Sequence, residues 1–388
     1  MFKIQTLNKI SSLGILRMSP DTYEIASEFS NPDAVLVRSF KMNDMEFNAN
    51  LKVIGRAGAG VNNIPVSRCT DKGIVVFNTP GANANAVKEL VLCGMFLASR
   101  KIVDGINWGK TLEDQGAEVT KIVEKNKEQF GGNEIKGKTL GLIGLGAIGT
   151  IVANDAIELG MNVLGYDPFI SVDKAWQLSS KVKKAAGLDS LLANSDIISV
   201  HMPLTDDTKS ILNREKFALM KKGVKIMNFS RSEIVNNNDL KVAIKDGIVG
   251  CYVTDFPSDD LLNVPGIICI PHLGASTQEA EDNCAVMVVD QVMDFLENGN
   301  IINSVNFPTC YLERSTGGSR LVISNKNIPA MVGQISTILA DAKFNIIEMI
   351  NKSRNEIAYT MVDVEGKVPE EVVSSLRSIN GVISVRNI

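Results

Sequence analysis

Histidine is nearly missing from this chain. Only two occur in 388 residues, His201 and His272, so if chemistry at neutral pH needs an imidazole the candidates are these two. Cysteine is sparse and scattered: Cys69, Cys93, Cys251, Cys269, Cys284 and Cys310 form no C-x-x-C. No His/Cys cluster suggests a metal site, and thiols in apolar surroundings fit a reducing cytoplasm. No apolar run reaches the roughly 18 residues that span a membrane. The opening M-F-K-I-Q-T-L-N-K-I-S-S reads as a strand and lacks a signal-peptide h-region. Basic excess is absent too: the net charge of −4 argues against nucleic acid as a main partner.

What is present is ordinary for a globular chain, 45% apolar and 22% charged, and the length suggests two or three domains. The most telling segment is Lys138 to Asp167. An apolar strand runs straight into Gly144-Leu145-Gly146-Ala147-Ile148-Gly149, which opens a helix ended by Gly160. A second apolar strand follows and stops at Asp167. In that context G-x-G-x-x-G reads as a dinucleotide-binding unit. Gly144 makes the tight turn, Gly146 lets the backbone approach a pyrophosphate, and Gly149 lets helix and strand pack closely. The helix start at Ala147 and Ile148 offers free N–H groups to the phosphates. Asp167 can accept from both ribose hydroxyls and would repel a 2′-phosphate, so NAD is favoured over NADP.

Along the chain, the pattern predicts strands at Phe2–Leu7, Ala34–Val37, Leu51–Ile54 and Ile74–Phe77, with a helix beginning near Pro20-Asp21. A largely apolar helix from Ala86 to Ser99 has the character of a connector. Asp196–Val200, Val224–Asn228, Val249–Thr254 and Ile267–Ile270 read as buried parallel strands. Pro203, Ser230 and Asp255 fall just after such strands, at the edge where doubly wound sheets bind ligands. A helix covers Ser276 to Glu297, and the polar stretch Leu312 to Ser319 reads as a linker. The remainder spells strand, helix, strand, strand, helix, strand: the ferredoxin-like βαββαβ order, whose sheet edges are commonly paired with a second subunit.

Several motifs converge. They are V-R-S at 37–39, G-R-A-G-A-G-V-N-N at 55–63, N-T-P-G-A-N at 78–83, the glycine fingerprint at 141–149 and Y-D-P-F at 166–169. N-F-S-R-S-E-I-V at 228–235 and P-H-L-G-A-S-T at 271–277 complete the set. On these the chain resembles the D-isomer-specific 2-hydroxyacid dehydrogenases, and R-A-G-x-G-V and P-H-L-G-A-S-T resemble the phosphoglycerate branch. N-K-N-I-P-A-M-V at 325–332 and F-N-I at 344–346 resemble an ACT domain. The resemblance implies an α/β protein with a flavodoxin-like substrate domain formed by 1–96 and 276–311, a Rossmann NAD domain at 97–275 and an ACT regulatory domain at 319–388. It implies oxidation of the 2-hydroxyl of a phosphorylated 2-hydroxy acid, D-3-phosphoglycerate, at the start of serine synthesis. A hydroxypyruvate or glyoxylate reductase is the alternative enzyme; a non-catalytic NAD-sensing regulator is the alternative of another class.

His272 closes an apolar strand at the family's general acid/base position, where an imidazole can take the hydroxyl proton and return it. Arg231 matches the arginine that grips the substrate carboxylate with two parallel hydrogen bonds; the family's usual Ala-Arg-Gly is Ser230-Arg231-Ser232 here. For the carboxylate that pairs with the histidine, ungapped counting gives Asp260, whereas a one-residue deletion gives Asp259; a solvated acidic loop is the plain alternative. Asp255 matches an aspartate on the nicotinamide side. His201, Met202 and Pro203 resemble a cofactor-side wall, and Ser230, Gly274 and Ala275 join the cofactor set. Ala59 and Gly60 match a loop whose N–H groups receive the substrate carboxylate, Arg38 matches an arginine near the phosphate, and Arg56 is a second basic candidate. Asn327 and Asn345 match asparagines that contact the amino acid in serine-sensing relatives, which often carry histidine where this chain has Asn325; the three together are the effector-site candidates. A homodimer or homotetramer is implied, with no membrane or nucleic-acid partner.

Overall fold

The computed structural model describes residues 1–315 and 317–388; Thr316, inside the expected linker, lies outside the described residues. The chain divides into two compact units, Met1–Asn83 with Gln278–Ile388, and Ala84–Thr277.

The first unit holds a parallel sheet of five strands in the spatial order Tyr23–Ala26, Phe2–Thr6, Ala34–Val37, Val53–Arg56, Val75–Phe77. In chain order this is 2-1-3-4-5, the flavodoxin-like arrangement. Apolar residues alternate between its faces. Val35, Val37, Ile54 and Val76 pack with Met42, Phe47 and Ile64 on one side. Leu36, Val53, Val75 and Phe77 pack on the other with Val288, Val292 and Phe295 of the helix Gln278–Asn298. The helix expected from Pro20-Asp21 is instead a turn followed by the strand Tyr23–Ala26. Aromatic and β-branched Tyr23 and Ile25 find a register against Phe2 and Ile4, and a half-buried pleated surface favours them more than a helix does.

The C-terminal module is an antiparallel sheet in the order Ile346–Arg354, Ile357–Glu365, Gly318–Lys326, Val382–Asn387. Its helices, Met331–Asp341 and Glu370–Arg377, cover one face, over Leu321, Ile323, Val362 and Val364. A sheet has two faces. The other carries Val322, Ile357, Tyr359 and Met361 and shares a core with Val288, Val292 and Phe295 of the helix Gln278–Asn298. The module is therefore packed onto the rest of the first unit and shares its core. The expected linker is likewise tied down: Leu312 is buried, Arg314 donates to the Glu297 and Ile388 carbonyls, and Ser315 N–H donates to Asp363.

The second unit is a seven-stranded parallel sheet in the order Ile267–Cys269, Val249–Thr254, Val224–Asn228, Ile197–Val200, Thr139–Ile143, Asn162–Tyr166, Lys183–Lys184. Numbered within the unit and read from the Lys183–Lys184 edge this is 3-2-1-4-5-6-7, the Rossmann order. The helix Ala84–Arg100 belongs here as a whole. Its Val87, Val91, Met95 and Ala98 pack against Leu140, Leu142, Met227 and Phe229. The unit accordingly starts at Ala84 rather than 97, because a helix with one continuous apolar stripe cannot be divided between two cores. No helix among the described residues is long and apolar enough to cross a membrane.

Candidate active site

In the second unit, Thr139–Ile143 and Ile197–Val200 are neighbours whose connections leave in opposite directions, so their carboxyl ends form the topological switch point. The chain leaves the first into the glycine loop and the second into His201, whose N–H donates to the Ile143 carbonyl at 2.7 Å. Gly144 has φ of +94°, and a Cβ there would lie 2.4 Å from the His201 carbonyl oxygen. A Cβ on Gly149 would lie 2.0 Å from the Gly144 carbonyl oxygen, whereas one on Gly146 meets nothing within 4 Å. Two glycines thus let turn, helix and neighbouring strand close up, and the third faces open space at the helix start. That is the room and the donor surface a pyrophosphate requires.

Asp167 ends the strand Asn162–Tyr166. It accepts from Leu145 N–H at 2.8 Å and Phe169 N–H at 2.9 Å. An ionised carboxylate has about four acceptor positions, so the two fixing it leave others for ribose hydroxyls. His201 Nε2 lies 2.9 Å from Ser199 Oγ, and burial pushes its imidazole down to about 4. A neutral ring suits a wall, not a proton shuttle at neutral pH. Met202 packs into the sheet's core and Pro203 is exposed.

Three ionisable side chains, His272, Asp255 and Arg231, gather at the ends of Val224–Asn228, Val249–Thr254 and Ile267–Cys269. His272 is exposed, its ring edge-on to Phe256 at 5.0 Å. Asp255 is buried; its Oδ2 accepts from Gly274 N–H at 3.3 Å, while its Oδ1 has no hydrogen-bond partner among the described residues. Burial pushes the Asp255 carboxyl up, against the pull of His272, the Gly274 N–H and Arg231. Arg231 is exposed, and its Nη1 donates to the Ser230 carbonyl. Its loop is strapped by Asn228, which is fully buried. The Asn228 amide donates to the Arg231 carbonyl at 2.9 Å and to Tyr252 Oη at 3.2 Å, and its Oδ1 accepts from Ser230 N–H. Ser230 Oγ donates to the Val200 carbonyl. Asn228 was not among the expected site residues, although a polar residue ending an apolar strand is a readable signal.

Asp260 is not brought to His272. Its carboxylate accepts from Ser258 Oγ at 2.7 Å, Lys241 Nζ at 3.0 Å and the Asn237 amide at 3.3 Å. These bonds and the lysine hold it below the usual carboxylate range. A short loop with a nearby lysine gives the carboxylate a partner within reach, and ungapped counting contains no information about that. Asp259 is exposed. Asp255, by contrast, is a carboxylate that feels the charge of His272.

In the first unit, Arg38 follows the strand Ala34–Val37. Its N–H donates to Asn8 Oδ1, and its guanidinium pairs with Glu281 at 2.7 Å. Arg56 Nε donates to Asn63 Oδ1 at 3.0 Å, and the Asn63 amide donates to the Phe40 and Arg38 carbonyls. Gly58 has φ of +156°, and the exposed Ala59 that follows accepts from the Asn78 amide at 2.6 Å. Gly60 is half-buried. In the C-terminal module Asn325 is fully buried, its amide donating to the Lys326 carbonyl and its Oδ1 unpartnered. Asn327 and Asn345 are exposed.

Residues 95–274 match the family model described as D-isomer specific 2-hydroxyacid dehydrogenase, NAD binding domain. The D-3-phosphoglycerate dehydrogenase of Methanocaldococcus jannaschii is 32% identical over 379 residues, 94% of this chain and 69% of that protein. The chain belongs to the D-isomer specific 2-hydroxyacid dehydrogenases. The Haemophilus influenzae D-3-phosphoglycerate dehydrogenase is 31% identical over 88% of this chain and 82% of its own length. For the Archaeoglobus fulgidus one, 36% identical over 74% of this chain, the chain spans about half the relative, 54%. Among solved structures, the NAD-bound 3-phosphoglycerate dehydrogenase of Entamoeba histolytica matches with a TM-score of 0.62 and 26% identity over 79% of this chain and 98% of its own. The Rhodotorula graminis D-mandelate dehydrogenase, at 20% identity and a TM-score of 0.68 over 80% of this chain and 99% of its own, shares the fold. This dehydrogenase uses NAD, and the second unit carries the family's NAD-binding domain.

Proposed function

We propose that this dehydrogenase oxidises the 2-hydroxyl of D-3-phosphoglycerate to give 3-phosphohydroxypyruvate, the first step of L-serine synthesis. The observation carrying this reading is that nearly the whole chain aligns with a protein named for that activity. NAD, when bound, supplies the hydride acceptor. Gly144, Gly146, Gly149 and the N–H groups at Ala147 and Ile148 would hold its phosphates, and Asp167 its ribose. Arg231 binds and orients the substrate carboxylate. His272 takes the proton of the 2-hydroxyl as the carbon gives up hydride, and Asp255 favours the imidazolium that forms. Arg38 meets the phosphate, and the Ala59–Gly60 loop receives the carboxylate.

We read the C-terminal module as an ACT-type domain for a small amino acid such as L-serine, in a cytoplasmic homodimer or homotetramer. Asn327 and Asn345 are the accessible effector candidates, whereas Asn325 faces the interior. The deciding experiment is steady-state NAD reduction with D-3-phosphoglycerate, alongside NADH oxidation with hydroxypyruvate and with glyoxylate. Preference for the phosphorylated substrate is expected. Faster turnover of the unphosphorylated acids would make the chain a reductase, and no turnover with saturable NAD binding would leave a sensor.

A further inference from the structure

The ion pair between Arg38 and Glu281 joins two residues far apart in the chain. Arg38 is held by its backbone, through Asn8 and Asn63, while its guanidinium stays partly open; the side chains of Arg38 and Glu281 are 30% and 43% exposed. Glu281 lies in the first turn of the helix Gln278–Asn298, where the helix dipole favours a carboxylate. One turn on, the buried Cys284 feels Arg38, Arg56 and Glu281 together. Two cations and one carboxylate therefore share one neighbourhood, and Glu281 offsets the charge of Arg38 there. A phosphate carries two acceptor-rich charges and needs those donors.

We infer that Glu281 is a specificity-setting surrogate, its carboxylate occupying Arg38 in the free protein and giving way to the phosphate of the substrate. The inference rests on the assignment of Arg38 to the phosphate. It makes phosphate recognition an exchange of partners, so affinity for the phosphorylated acid is lower than the arginines alone would provide. An unphosphorylated 2-hydroxy acid has nothing to exchange.

The test is Glu281→Gln in the full chain, which keeps the shape and removes the charge. KM for 3-phosphoglycerate should fall about 2–5-fold, the range an exposed ion pair spans, with kcat unchanged and KM for D-glycerate unmoved. Inorganic phosphate, titrated calorimetrically, should bind more tightly by a similar factor, a readout that needs no turnover. An unchanged or raised KM for 3-phosphoglycerate, with phosphate binding no tighter, overturns the inference. Arg38→Ala separates the two failures. If it raises KM for 3-phosphoglycerate while Glu281→Gln changes nothing, only the role of Glu281 falls. If Arg38→Ala leaves KM for the phosphorylated acid and binding of phosphate untouched, the phosphate assignment itself is wrong.

Discussion

The two ends of the helix Gln278–Asn298 use arginine in opposite ways. At its carboxyl end Arg320, with a side chain only 1% exposed, donates to both oxygens of Asp363 at 2.6 and 2.7 Å and to the carbonyls of Asn298, Leu312 and Glu313. Arg386 donates to the Phe295 and Leu296 carbonyls with its guanidinium 4.5 Å from the Phe295 ring centre. Positive charge there also complements the helix dipole. At the amino end Arg38 is half-buried and holds one carboxylate. Arg320, saturated and buried, is a fastener, since breaking such a pair costs about 3–5 kcal/mol. A partly exposed pair is worth about 0.2–1 kcal/mol and can trade its partner for a ligand. The two histidines repeat the contrast: His201 is half-buried with its imidazole pushed down to about 4, while His272 is open to solvent.

The sharpest attempt to break that contrast is His272→Ala. Turnover should drop about 10²–10⁴-fold, the usual contribution of a general acid/base, while NAD still titrates normally in a calorimeter. Turnover close to the unmodified enzyme would mean that an open imidazole at this strand end is not the proton acceptor.

Next in size is Arg320→Ala. It strands the Asp363 carboxylate and several carbonyls in a buried site, so denaturant unfolding should show a loss of about 3–5 kcal/mol. The pH dependence has a definite sign. Burial pushes the Asp363 carboxyl up, but Arg320 and the Ser315 N–H outweigh it and hold the group below its usual range. A depressed carboxylate stabilises above its unfolded pKa, about 4, and that stability is lost as pH falls through the lower folded value. The gap between unmodified and variant protein should therefore be full at neutral pH and shrink only under acid. A loss below about 1 kcal/mol would show that the module is not fastened by this pair.

Much of this was legible in the sequence because local pattern and tertiary demand agree there. Val224–Asn228 and Val249–Thr254 are apolar runs between turn signals, and both strands have the expected bounds. The glycine loop was legible because each glycine answers a steric requirement of the backbone. The strand Tyr23–Ala26 was not, since four residues preceded by a Pro-Asp helix-start signal carry little periodicity. The docking of the C-terminal module has a local signal: Ile357-Ala358-Tyr359-Thr360-Met361-Val362 is largely apolar on both faces, which is the mark of a sheet covered twice. The pairing of Asp260 with Lys241 lay beyond sequence counting, because where a loop carboxylate turns depends on where it finds its nearest cation.

That last point yields the smallest expected effect. Asp260 is exposed and engaged by Ser258, Lys241 and Asn237, so Asp260→Asn removes a surface charge and little else. Stability should stay within about 0.5 kcal/mol and turnover within about twofold of the unmodified enzyme. Asp255→Asn is the paired comparison. Asp255 is buried beside Gly274, and its charge state responds to both His272 and Arg231. Removing the carboxylate takes away a charge that interacts with both groups, so turnover should fall about tenfold or more and the pH profile should move. Both outcomes are read from kcat measured across pH in one series. If instead Asp260→Asn is the variant that loses tenfold and shifts the profile, the loop at 257–260 must rearrange during turnover to bring Asp260 to the imidazole. Asp255 would then keep only its cofactor-side role, and the open histidine would take its partner by the same kind of exchange that Arg38 makes with Glu281.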